Sequence, residues 1–418
     1  MKQLSTKFLE ILDHRYIGIL ACALILLGLV SFRALMSIGM ITLGVRAVLS
    51  LHPKENIQNL LQNKALLALL GIFGLYLISG LWSENFDFWL DRMRMKLPFL
   101  ALPFGFAALQ NLKFKDYQYL LYAFFVIIAA LCLWLLGVYF NDFENLNEIY
   151  RKGQVLPTPV NHIRFSLMAV YAFALGLYFV EKSFFVRFHQ EKIIVLILTL
   201  FLFVFIHILA VRSGLLALYL VLGYQFVHYI IRSKKYLIGM GIAVFSILSI
   251  IAAFYFIPTL QNKIGYTQYS LNRIKEHSKL ESLSDSKRIA TIEAAIVEGQ
   301  KTWLIGIGVG DVQDVTTVYL QKNYPSIANL GILPHNQYLF VWLGIGTIGL
   351  ILFLIFSLYP MFYQKAYLDS QFMSLNIIIL SSFLVEHTIE VQIGSAFYTL
   401  FVFIGINMAS KREECNTL

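Results

Sequence analysis

Two arginines and a histidine stand where long apolar runs begin or end, a third arginine opens a helix in a long loop, and their types limit the chemistry open to the chain. Arg212 lies in Ala210-Val211-Arg212-Ser213-Gly214, a junction of two apolar runs too short for a conventional loop. Arg164 follows Asn161 and His162 after Pro157 and Pro159, and Arg288 follows Lys287 in a long polar stretch. A guanidinium grips phosphate in a planar, two-pronged geometry. It also snorkels at a helix end to reach lipid headgroups, and on residue type alone both readings stand for all three. His335 lies in Leu333-Pro334-His335-Asn336-Gln337, where Pro334 can open a helix. A neutral imidazole accepts a proton from a hydroxyl near pH 7, while a capping or interfacial histidine is the plainer alternative. Further on, Glu386, His387 and Glu390 form a small acidic cluster able to pair with one of the arginines. Asn336, Glu386 and His387 are candidates for a supporting role.

The elements that must position these residues are set by composition. Of 418 residues, 58% are hydrophobic, 15% aromatic and 14% charged. Soluble domains carry about 25% charged residues, so a water-facing fold is excluded. The apolar residues fall in runs close to the length, about 20 residues, that an α-helix needs to cross ~30 Å of hydrocarbon. That pattern also excludes a membrane β-barrel, whose strands alternate apolar and polar positions. The runs predict an all-α membrane bundle of about twelve transmembrane helices. They lie near Ile17–Val30, Ala34–Leu51, Ala65–Leu81, Leu97–Leu109, Tyr119–Phe140, Val160–Val180, Ile193–Val211, Leu215–Ile231, Tyr236–Ile257, Gln337–Leu358, Phe372–Val385 and Ile393–Met408. Leu97–Leu109 is short and holds Pro98 and Pro103, as a kinked or partly interfacial helix would.

The formal charge of +9 is spread over loops rather than in a stripe, which gives a nucleic-acid partner little support. With a cytoplasmic N-terminus every inner loop is basic, as the retention of Lys and Arg on that side requires. Both termini are then cytoplasmic, and Arg164, Arg212, Arg288 and His335 all fall on the outer face. The first run follows a basic segment but no cleavage-site pattern, and is expected to be a retained span. Arg92, Arg94 and Lys96 also fall outside, where lipid anchoring or an anionic acceptor would explain them. His207, in the middle of an apolar run, is expected to be hydrogen-bonded core. Cys22, Cys132 and Cys415 show no CxxC and no Cys/His metal spacing, so no disulfide framework and no structural metal are expected.

The spans divide the chain into 1–257, a large outer loop at 258–335, and 336–418. Long loops are usually functional or disordered. Here Ile289, Ile292, Ile296 and Trp303 recur on one face, which predicts an amphipathic surface helix over Ser286–Lys301, capped by Asp285 or Ser286. The run Gly306-Ile307-Gly308-Val309-Gly310-Asp311 superficially resembles a phosphate-cradling loop. Outside a strand-turn-helix unit, a flexible turn is the better reading.

Arg212-Ser213-Gly214 at a helix start, the stretch from Arg288 through Trp303 into Gly306, Gly308 and Gly310, and His335-Asn336-Gln337-Tyr338-Leu339 opening a helix with Gly344, Gly346 and Gly349 together resemble the O-antigen ligase and O-antigen polymerase superfamily. The resemblance covers roughly Phe201–Phe356 in detail. It implies a membrane glycosyltransferase bundle with a large periplasmic loop, in the bacterial inner membrane, working without nucleotide sugar, metal or other cofactor. The donor would be a glycan on undecaprenyl diphosphate. The acceptor would be lipid A core for a ligase, the leading expectation, or another lipid-linked glycan for a polymerase. By the same resemblance His335 is the catalytic base, Arg212 and Arg288 grip the diphosphate, and Arg164 is a third such arginine. A transporter or flippase of lipid-linked saccharides is the competing class. The chain's lack of repeat symmetry, its few central charges and its long outer loop weigh against it.

Overall fold

Capping and burial choose where each apolar run becomes a helix. The computed structural model describes residues 10, 13–184, 186–234, 244, 251, 255–275, 284–325 and 331–416. Regular structure among them is helical: α1 Arg15–Val30, α2 Arg33–Val48, α3 Pro53–Gln62, α4 Lys64–Ser79, α5 Phe86–Ala107, α6 Phe114–Asn141, α7 Phe143–Arg151, α8 His162–Lys182, α9 Glu191–Leu209, α10 Arg212–Ser233, α11 Pro258–Lys275, α12 Ser284–Lys301, α13 Val312–Asn323, α14 Gln337–Phe362, α15 Ser370–Val385 and α16 Gln392–Asn416.

By length and composition six of these can cross a membrane: α6, α8, α9, α10, α14 and α16. A seventh arises if α2 and α3, bent by 106°, count as one broken span. The difference from twelve has identifiable sources. Three expected spans form apolar helices of only 16 residues, α1, α4 and α15. The run Tyr236–Ile257 lies almost wholly outside the described residues. Leu97–Leu109 is no separate short helix; it ends the 22-residue α5, which starts at Phe86 and carries Pro98 and Pro103 inside it. Asn85 caps α5 by accepting from Phe88 N at 3.0 Å, and Arg92, Arg94 and Lys96 are helical residues rather than loop residues.

The chain forms two compact units, one of residues 1–120, 290–372 and 383–418, the other of 121–289 and 373–382. In the first, α5 packs against α2, α4 and α16. In the second, α8 is buried along most of its length between α9 and α10, and α11 packs on α7 and α9.

Two expectations for the loop are corrected. The surface helix starts at Ser284, so Asp285 and Ser286 lie in its first turn rather than capping it. Its buried side carries Ala290, Thr291, Ala294 and Ala295, while Ile289, Ile296 and, just past its end, Trp303 are exposed, as suits an apolar edge turned to lipid. The glycine run is a structural joint and neither a free turn nor a phosphate cradle. Its amides are spent: Ile307 N and Gly308 N donate to Leu343 O and Gly344 O at 3.0 and 2.9 Å, and Gly310 N donates to Ser83 Oγ at 3.0 Å. In return Thr347 N and Ile348 N donate to Trp303 O and Leu304 O at 2.8 and 3.3 Å. The exchange bridges a break in α14 at Gly346, whose φ of 72° and ψ of −171° suit glycine alone. A Cβ at Gly346 would meet Leu304 O at 2.3 Å, and one at Gly306 would meet Gly344 C at 2.6 Å.

Gly346→Ala is therefore expected to cost at least about 1–3 kcal/mol from backbone strain. Gly74→Ala in α4, where a Cβ meets nothing within 4 Å, is expected to be neutral or stabilising by up to about 1 kcal/mol. Thermal unfolding of both variants in one detergent checks the contrast.

Candidate functional site

The predicted residues gather in two places, one in each unit. In the second unit a cavity of about 370 Å³ is lined by Arg212, Arg288 and His162 and by a residue the sequence did not single out, Lys263. Its walls follow from local backbone chemistry. Ala210 ends α9 in a left-handed conformation (φ 50°), and Val211 starts α10 at once, so the chain reverses without a loop. The last carbonyls of α9 are taken up from outside the helix: Thr259 Oγ1 donates to Ile208 O at 2.6 Å and Tyr150 Oη to Leu209 O at 3.2 Å. Gly214 lets α10 approach α8, since a Cβ there would meet Ser166 Cβ at 2.7 Å. That contact fixes Arg212, two residues earlier, at the cavity wall.

Lys263 comes from α11, and its Nζ donates to Gly153 O. His162 and Arg212 are the first residues of α8 and α10. Two helix N-termini and three cations therefore border one space. Backbone N–H groups and the positive end of a helix both favour an anion, and guanidiniums suit phosphate oxygens. Arg164 lies apart from the lining. It is buried, and its Nη1 donates at 3.2 Å to Asn161 Oδ1, the oxygen that caps α8 through Ile163 N.

In the first unit His335 meets Glu386 and His387. Nδ1 of His335 lies 3.2 Å from Glu386 Oε1, Nδ1 of His387 lies 3.1 Å from the same oxygen, and the two rings are 5.3 Å apart. The side chains of His335 and His387 are 20% and 15% exposed and that of Glu386 is 3% exposed. Pro334 does not open the helix as expected. Asn336 is the N-cap of α14: its Oδ1 accepts from Leu339 N at 3.0 Å while its Nδ2 donates to Leu384 O at 3.0 Å. The side chain ties the start of α14 to the end of α15.

Beneath this cluster lies a network that sequence reasoning missed. Lys96 and Glu390 form an ion pair at 2.8 Å with both side chains at 0% exposure. Lys96 Nζ also donates to Ile389 O at 2.6 Å, and Arg92 Nη1 donates to Glu390 O at 3.0 Å. Gln337 Nε2 and Tyr76 Oη donate to Glu390 Oε1 at 2.7 and 2.5 Å, and Gln337 Oε1 accepts from Ile389 N at 3.1 Å. Glu390 thus pairs with Lys96 rather than with one of the three phosphate-type arginines, and Lys96 is too buried to receive an acceptor. Burial pushes the Glu390 carboxyl up, but Lys96, Arg92 and the donated hydrogen bonds outweigh it and hold the group below the usual carboxylate range. A signal was available: Lys96 directly precedes the apolar run at Leu97, and Glu390 is one of two acids in the short turn between two apolar helices. His207 is core as expected, with Nδ1 at 2.8 Å from Phe203 O and Nε2 at 2.8 Å from Tyr219 Oη.

Removing one partner of a buried pair leaves an uncompensated charge, so Lys96→Met should destabilise by about 3–5 kcal/mol, and adding Glu390→Gln should recover part of the loss. The pH dependence has a definite sign. A carboxyl depressed on folding contributes its full stability above its unfolded pKa and loses it as pH falls through the folded value. The acid limb of thermal stability should thus be steeper in the wild type than in Glu390→Gln, and unfolding curves taken from neutral to acidic pH measure it.

Comparison with known proteins adds one result. Residues 196–354 match the family model described as O-antigen ligase. That stretch includes Arg212, Lys263, Arg288 and His335, together with the glycine joint, and stops short of Glu386. No curated protein matches the chain.

Proposed function

We propose, from the match of residues 196–354 to the O-antigen ligase family model, that the chain is a multi-pass membrane glycosyltransferase that moves a glycan from undecaprenyl diphosphate to an acceptor at the periplasmic face. Ligation to lipid A core is the reading we favour, with extension of another lipid-linked glycan as the polymerase alternative on the same residues. The bacterial inner membrane, cytoplasmic termini and a periplasmic large loop belong to this proposal. The cavity carrying Arg212, Arg288 and Lys263 between two helix N-termini is the observation that supports it best, because that set of donors suits a diphosphate.

The chemistry follows from the donor. Its anomeric carbon already bears a good leaving group, so catalysis needs positioning and stabilisation of the charge that grows on the departing oxygen. Arg212, Arg288 and Lys263 take that role, in surroundings where charge interactions exceed their strength in water. Arg164 braces the start of α8 beside His162 and acts on the diphosphate through that placement. His335 is assigned to the acceptor. With its Nδ1 proton directed at Glu386, Nε2 keeps a lone pair and takes the proton of the incoming hydroxyl. The new C–O bond forms as the bond to the diphosphate breaks, with inversion at the anomeric carbon, and undecaprenyl diphosphate leaves. Asn336 keeps His335 at the helix start.

Purified protein given the lipid-linked donor and acceptor should release undecaprenyl diphosphate without added nucleotide. His335→Ala should lower the rate by about 10²- to 10⁴-fold. Arg212→Lys should be strongly impaired although the charge is kept, because the two-pronged contact is lost. Full activity in a well-expressed His335→Ala protein would overturn the assignment of the base. A deletion strain separates the two acceptors: loss of all long glycan on lipid A core indicates ligation, and core capped by one repeat unit indicates polymerisation.

A further inference from the structure

The use of His335 leaves one feature unexplained: a second histidine aims at the same carboxylate oxygen. Among the described residues His335, Glu386 and His387 offer three ligand atoms all within 4.8 Å of one another. We propose that these residues bind a divalent transition metal of the zinc class, and that its binding turns the transfer off. The inhibitory half rests on the reading of His335 as the base; the binding half stands without it.

The geometry suits such an ion. Zinc binds imidazole nitrogen and carboxylate oxygen at about 2.0–2.2 Å in tetrahedral sites, which places neighbouring ligand atoms about 3.3 Å apart. The two Nδ1 to Oε1 separations are 3.2 and 3.1 Å, so little movement is needed to admit an ion. Two imidazoles and a carboxylate are a recurrent zinc set, and three protein ligands leave a fourth position open. The frame is already built. Asn336 ties the start of α14 to Leu384, and Gln337 holds Ile389 and Glu390 on the far side of the Glu386-His387 pair. Both rings are partly exposed, so an ion from the aqueous side has access.

Without metal, His335 Nδ1 is within hydrogen-bond reach of Glu386 Oε1 and His387 Nδ1 stands 3.1 Å from the same oxygen. An ion bound there takes the Nδ1 lone pair of each ring, and a neutral imidazole coordinated through Nδ1 carries its proton on Nε2. The lone pair that should receive the hydroxyl proton is then gone. Metal and base function exclude one another on His335, so the ion acts as an inhibitor and not as a cofactor.

The test uses full-length protein in detergent, free of any polyhistidine tag and stripped with chelator. Calorimetry with zinc and elemental analysis should show one ion per chain, weakened at least 100-fold in His387→Ala and in His387→Gln, each first checked for monodispersity and melting temperature. Cobalt(II) should give visible bands of a low-coordinate nitrogen and oxygen site in the wild type and lose them in both variants. Zinc should abolish transfer by the wild type and chelator restore it, while the activity that each variant retains should become insensitive to zinc at the same concentration. Absence of stoichiometric binding, or equal binding by wild type and both variants, overturns the site. Stoichiometric binding with undiminished transfer overturns the inhibition. If chelated wild-type protein shows no transfer at all, the function reading fails while calorimetry and the cobalt spectrum still decide the metal site.

Discussion

A lysine and a glutamate that are both withdrawn from solvent would each be costly to dehydrate, by several kcal/mol alone, so Lys96 and Glu390 are tolerated only as a pair. Their surroundings add hydrogen bonds: Tyr76 and Gln337 both donate to Glu390 Oε1, and the ammonium reaches the Ile389 carbonyl. Each of these contacts draws in a different element, α4, α5, the start of α14 and the turn before α16. His335 is two residues from Gln337, and Glu386 four residues from Glu390. The histidine and its carboxylate thus flank a frame held by the buried Lys96–Glu390 ion pair.

The second unit solves a different problem by a related route. A cluster of cations repels itself, and backbone features place two of the three here. Arg212 is fixed by a reversal with no spare residues and by the contact of Gly214 with Ser166, and Lys263 by the Gly153 carbonyl. A phosphate entering the cavity finds donors already arranged, which is the condition under which charge stabilises a transition state without reorganising.

Arg212 and His335 were legible in the sequence because a charged or titratable side chain beside an apolar run is conspicuous, Arg288 because it opens a helix with one apolar face, and the helical class because the runs are long. Arg164 was legible as a residue but not as to place, since its neighbour His162 rather than Arg164 lines the cavity. Lys263 gave no signal within a polar stretch rich in other cations. Lys96 was read by its side of the membrane together with Arg92 and Arg94, yet its partner region lies 293 positions away at Ile389, a separation no local pattern reveals. Among the described residues fewer helices than twelve meet the length of a span, because apolar content does not distinguish a 16-residue helix from a longer one, and because α5 extends through Arg92 and Lys96, whose partners are distant in sequence. The glycine run was mistaken for a flexible turn because glycine spacing alone does not tell freedom from close contact.

The broken helix α14 has a consequence for how the protein is made. A helix interrupted at Gly346 would enter the bilayer with backbone groups unsatisfied, each costly in hydrocarbon. The chain that satisfies them, from Trp303 to Gly308, precedes the break in sequence and so leaves the ribosome first. When Leu343 to Ile348 are made, their partners have already been synthesised, so an earlier segment supplies the hydrogen bonds that a later helix lacks.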